Sequence, residues 1–148
     1  MPTPEDPYQP PRSPLESPQS IEARHVRAAA KYLRGAVAIG LLEVMDASIV
    51  ASNGGAIGAF SYAVSFLELF WLAVSIMFLI RVRHPTAKLV GHAFVAYMVF
   101  GIVMGGTQDP SQPAPMPLIV VSGLFGLAYA IGSAYVGAGV WRAARGGS

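Results

Sequence analysis

The sequence predicts an all-α fold, a polytopic membrane protein built as a four-helix transmembrane bundle behind a disordered N-terminal tail. Three observations predict it. Of 148 residues, 53% are hydrophobic and 12% charged, where an average soluble domain carries about 25% charged residues. A chain this small needs more polar surface than that to stay in water. Four apolar runs are each long enough to cross a ~30 Å hydrocarbon core at 1.5 Å per residue. All ten Lys and Arg fall on one side of a four-span arrangement, which hydropathy alone does not require.

Residues 1–20 hold seven prolines among mostly polar residues and bury too little apolar surface to order themselves. They read as a disordered cytoplasmic tail, in which Ser13-Pro14 and Ser17-Pro18 are candidate phosphorylation or docking points. No apolar signal region, CaaX box or myristoylation start is expected, so the first true span directs membrane entry.

The transmembrane domain is expected over residues 21–145. Ser20 is a plausible N-cap and Glu22 suits the positive end of the helix dipole. Arg24, Arg27, Lys31 and Arg34 follow at helical spacing, forming a basic stripe beside the membrane that suits lipid headgroups, at roughly 1 kcal/mol per charge. Span one is about 35–52, span two about 61–80, span three about 87–106 and span four about 117–141. Asn53-Gly54-Gly55 breaks the chain after span one, Pro85 sits in the turn after span two, and a stretch with four prolines follows span three. No internal repeat supports an inverted-repeat transporter within one chain.

The basic residues precede span one, lie between spans two and three, and follow span four. The positive-inside rule makes that side cytoplasmic and places both termini there, in the plasma or inner membrane. The pI of 9.2 is explained by these helix-end charges, so nucleic acid is not an expected partner. With no cysteine, disulfides, thiolate catalysis and thiolate zinc sites are excluded. No catalytic constellation or metal-ligand set is found, and no cofactor is expected. A haem would want a second histidine in a span, and only His92 lies in one.

Candidate functional residues are therefore the ionisable groups inside spans, which cost about 2.5–3.5 kcal/mol to insert at a helix centre and face protein or water rather than lipid. They are Glu43 and Asp46 in span one, Glu68 in span two and His92 in span three. On span one, Ala36, Gly40, Glu43 and Ala47 share a small-residue face that lets another helix approach. Ser61, Ser65, Glu68 and Ser75 make a polar stripe on span two; Ser122, Gly126, Ala130 and Ser133 make a groove on span four. Counting rise places His92, then Glu43, then Asp46 level with Glu68, from inside to outside. Were Asp46 and Glu68 to face each other, the pair would share one proton. His92 shares its face with Ala96, Val99 and Val103, which reads as packing. Tyr32, Tyr62, Tyr135 and Trp141 read as interface anchors, and Trp71 as a lipid-facing residue.

The expected function is a non-catalytic accessory or scaffold subunit of a larger membrane complex, a respiratory assembly being one host, with other membrane subunits or a second copy as partners besides the lipid bilayer. The alternative is a small proton-coupled transporter or channel using the intramembrane carboxylates.

Overall fold

The computed structural model describes residues 18–105 and 112–146. The N-terminal tail before residue 18, its Ser13-Pro14 site and part of the connection before the last helix lie outside them. Among the described residues there are four helices: α1 (Pro18–Ser52), α2 (Ala59–Arg81), α3 (Pro85–Gly105) and α4 (Met116–Gly146). All four are long and apolar enough to cross a membrane.

α1 begins at Pro18, two residues before the expected cap. Proline suits a first helical position because its φ is already fixed and its missing N–H has no partner there to lose. Ser20 therefore lies inside the helix rather than capping it. At 35 residues, α1 is roughly 52 Å long, so its basic N-terminal stretch projects beyond a bilayer core. α4, 31 residues long, runs antiparallel to it. The α1–α4 interface is the most extensive in the bundle.

Small residues make that interface. Ala36, Gly40, Glu43 and Ala47 are all buried, whereas Leu41, Met45 and Ile49 on the opposite side are exposed. Gly40 faces the backbone of Gly126 and Ala130 so closely that a Cβ there would lie 2.6 Å from the Gly126 carbonyl oxygen. Glycine is needed because van der Waals packing, rather than the hydrophobic effect, joins helices in lipid and rewards close backbones.

At one end of the bundle lie the start of α1, the end of α4 and the α2–α3 turn; this is the terminal end. The α1–α2 connection and the described residues just before α4 meet at the other, the loop end. There Gly54 and Gly55 take positive φ of 64° and 89°, the region glycine reaches without strain, and the Gly55 carbonyl accepts from the Ala114 N–H at 2.9 Å. At the terminal end, the Val82 N–H closes α2 on the Phe78 carbonyl at 2.9 Å.

Packing is uneven along the axis. The main core fills the terminal half, with Tyr32, Leu33, Phe78, Phe94 and Tyr129 buried together. The loop end has a small cluster of Ala47, Val50 and Ile119. The backbones of α2 and α4 stay apart, and the two helices meet through long side chains, as where Trp71 reaches Tyr129. Val99, Phe100, Ile102 and Val103, near the loop end of α3, are all exposed, so no face of that turn is packed.

Two aromatic expectations are corrected. Tyr32 is 4% exposed and stacks between Trp71 and Phe78, with ring centroids 4.9 and 4.2 Å away; it is a core residue, not an interface anchor. Trp71 turns inward onto Gly35 instead of facing lipid. In both cases the missing side chain at Gly35 provides the room that a wheel of one helix does not reveal. Tyr62 and Tyr135 are exposed.

Candidate functional site

α1 carries the two acids inward, and the helices around it supply their partners. Glu43 is 6% exposed. Its Oε1 accepts hydrogen bonds from the Tyr97 hydroxyl on α3 and the Ser122 hydroxyl on α4. Those two hydroxyls are themselves 3.2 Å apart. The Tyr97 ring is held by a parallel stack on Phe125, centroids 3.7 Å apart. Gly126, one turn along from Ser122, sits directly against the Glu43 Cβ, so the absent side chain lets the carboxyl reach over α4.

Glu68 on α2 completes the group. Its carboxyl lies close enough to Glu43 for the two groups to interact, while its Oε1 is buried without a hydrogen-bond partner. Ionised carboxylates only accept, so a hydrogen bond between two carboxyls requires one proton between them. The centre of the bundle thus holds two carboxyls, one phenol and one hydroxyl, drawn from all four helices.

Asp46 sits nearer the loop end, and Ser61 donates to its Oδ1 at 2.6 Å. Asp46 and Glu68, set at the same level by counting rise, are not paired. Ser61 is the α2 residue opposite Asp46, and Glu68 lies seven residues further along, roughly 10 Å of rise. Glu68 is brought to Glu43 instead, because the antiparallel register is set by the contacts of Asp46 with Ser61, Gly35 with Trp71 and Tyr32 with Ser75.

His92 does not join the acids. It lies exposed on the outer surface of α3, on a face whose Ala96, Val99 and Val103 are also exposed, and its Nδ1 is bonded within its own helix to the Lys88 carbonyl at 2.8 Å. Its face looks away from the core, so it does not pack within this chain. Among the described residues no group of three or more His, Cys, Asp or Glu could hold a metal ion.

A cavity of about 210 Å³ opens at the loop end, among α1, α2 and α4. Asp46, Ser61, Ser65 and Ser122 line it together with aliphatic side chains. Ser122 belongs both to this cavity and to the Glu43 cluster.

Toward the terminal end the cluster is closed off. Trp71 Nε1 donates to the Tyr129 hydroxyl at 3.3 Å, and the Tyr32 hydroxyl lies 2.8 Å from Ser75 Oγ and 3.5 Å from that of Tyr129. With Phe78, Phe94 and Phe125 these residues form a continuous aromatic layer. Every described Lys and Arg lies at the terminal end of this layer or beyond. Arg24, Arg27 and Lys31 are exposed and line an open surface hollow. Arg34 is exposed too, but its guanidinium lies 5.8 Å from the Trp141 ring centroid, and Trp141 is tied to the Ala30 carbonyl at 3.1 Å.

Tyr97 and Tyr129 escaped the reading of the sequence. The available signal was weak: a phenol in mid-span must find a polar partner, which marks it as bonded without naming the bond. Compared with models of known protein families, with curated proteins and with solved structures, the chain matches none.

Proposed function

We propose that this small multi-pass membrane protein binds and exchanges a proton at the Glu43–Glu68 pair, as the core of a proton-coupled transporter or channel. The observation that carries the reading is Ser122, which hydrogen-bonds to Glu43 and also lines the loop-end cavity. A proton entering that cavity meets a hydroxyl in contact with the carboxyl pair. The aromatic layer closes the other side, so passage through the bundle requires that layer to rearrange. By the positive-inside rule the loop end faces away from the cytoplasm, and the cluster is loaded from that face.

A scaffold subunit that used these acids to hold a neighbour would offer them outward. Glu43 is buried with Glu68 near it and finds its hydrogen-bond donors within the same chain, which favours proton handling over subunit contact.

The test is pH-gradient-driven flux in proteoliposomes carrying a trapped pH dye. Glu43→Gln and Glu68→Gln are each expected to slow flux by roughly tenfold or more, as for loss of a proton-transfer group. Unchanged flux in both variants, or no flux in the parent protein, sinks the reading.

A further inference from the structure

The loop-end cavity has a composition that the carboxyl pair does not explain. One wall is polar, with Asp46 beside Ser61, Ser65 and Ser122. The other is aliphatic, made by Val50, Ile57, Leu118 and Ile119. We propose that this vestibule is a binding site for small primary alkylammonium ions, with Asp46 as the counter-charge. The proposal deepens the proton-exchange reading by giving it a substrate class, and rests on that reading for its coupling but not for the site itself.

Four features select this chemistry. First, charge: no Lys or Arg lies at this end of the described chain, so the fields of Asp46, Glu43 and Glu68 are not offset by a fixed cation, and a mobile one is favoured. Second, hydrogen bonding: a primary ammonium has three donors and no acceptor, which suits one carboxylate and neighbouring hydroxyl oxygens. No aromatic residue lines the cavity, so the ring cage typical of quaternary ammonium recognition is missing. Third, the aliphatic wall: it rewards a hydrocarbon body and gives nothing to a hydrated metal ion, whose ligands would all be oxygens. Fourth, size: about 210 Å³ lies below the roughly 300 Å³ at which drug-sized sites begin, so the body is a short alkyl chain.

Coupling follows from placement. A cation seated against Asp46 lies beside Ser122, whose hydroxyl contacts Glu43. A positive charge there favours ionised carboxyls, so amine entry expels the proton held between Glu43 and Glu68.

The experiment is calorimetric titration of the full chain in lipid nanodiscs, with empty nanodiscs subtracted. The probes are n-butylammonium, tetramethylammonium and n-butanol. n-Butylammonium is expected to bind at least about tenfold more tightly than either of the others, the scale of a charge-assisted hydrogen bond. Asp46→Asn is expected to weaken it by a similar factor. Ile57→Trp, at a residue 52% exposed, fills the mouth while keeping every charge and should weaken it too; the elution profile of each variant checks folding. Equal binding of all three probes, no binding of n-butylammonium, or an unchanged affinity in both variants overturns the site. Proton release read in the same titrations separates the two readings. Amine binding without release supports the vestibule and counts against exchange at the carboxyl pair; release with Asp46-dependent binding supports both.

Discussion

Gly40 on α1 and Gly126 on α4 meet backbone to backbone. A Cβ on Gly40 would lie 2.6 Å from the Gly126 carbonyl oxygen, and one on Gly126 would lie 2.8 Å from the Gly40 carbonyl oxygen and 2.8 Å from the Glu43 Cβ. Backbone cannot rotate away as a side-chain tip can, so a methyl group at either position pushes the two longest helices apart. Gly40→Ala and Gly126→Ala should each cost about 1–3 kcal/mol, the range for overpacking, read by unfolding in mixed micelles. Gly132 and Gly139, also on α4, have open space where a Cβ would sit. Alanine there should be neutral or stabilise by up to about 1 kcal/mol through helix propensity. Equal losses at all four positions would rule out close approach as the reason for Gly40 and Gly126.

The second prediction concerns the donors to Glu43. Tyr97→Phe and Ser122→Ala each remove one hydroxyl and keep the fold's shape. Each should cost about 0.6–1.7 kcal/mol, the span measured for side-chain hydrogen bonds between helices in a membrane. Because both hydroxyls bond the same oxygen and lie 3.2 Å apart, their effects should not add. A double-mutant cycle is expected to return an interaction energy of about 0.5 kcal/mol or more. Strict additivity would mean that the two hydroxyls act on Glu43 independently.

Much of this architecture was legible from local pattern. Span length, the small face of α1 and the Ser122–Ser133 groove follow from residue identity and helical period, and each concerns a single helix. The partner of Glu68 was not legible. Depth counted from span ends gave Asp46 and Glu68 the same level, but the register of α1 against α2 is a tertiary quantity, settled by Asp46 with Ser61 and by Trp71 seated on Gly35. Tyr32 was misplaced for a related reason. Near a membrane interface a tyrosine suits both a headgroup belt and a buried stack, and the choice was made by Trp71 and Phe78, two side chains from another helix. His92 shows the limit of face reading: Ala96, Val99 and Val103 make an apolar face, and in a bilayer an apolar face is as fit for lipid as for protein.

Two buried serines should respond oppositely to the same substitution. Ser75 is fully buried and bonds the Tyr32 hydroxyl at 2.8 Å. Ser75→Ala leaves that phenol only its longer 3.5 Å contact with Tyr129 and should cost about 0.5–1.5 kcal/mol, the net worth of one hydrogen bond. Ser133 is 1% exposed and its Oγ has no hydrogen-bond partner. Ser133→Ala removes an unsatisfied hydroxyl, so stability should hold within about 0.5 kcal/mol or rise. Unfolding midpoints of the two variants, measured side by side in one detergent, check the sign. A clear loss at Ser133 would mean that its hydroxyl is bonded in the membrane.

The absence of cysteine gives a direct test of orientation, because a single introduced thiol is the only one to label. Ser20 lies at the terminal end, near the exposed Arg24 and Arg27, and Gln112 is exposed in the connection at the loop end. If the positive-inside rule governs insertion, a membrane-impermeant maleimide added to intact cells should label Gln112→Cys and spare Ser20→Cys. In inverted vesicles the pattern should reverse. The strength of the expectation comes from where the charges sit. The described chain has no Lys or Arg at the loop end, so the inverted orientation would carry the whole basic set across the membrane. Labelling of both positions in intact cells would indicate mixed insertion, and would also remove the basis for assigning the cavity beside Asp46 to the non-cytoplasmic face.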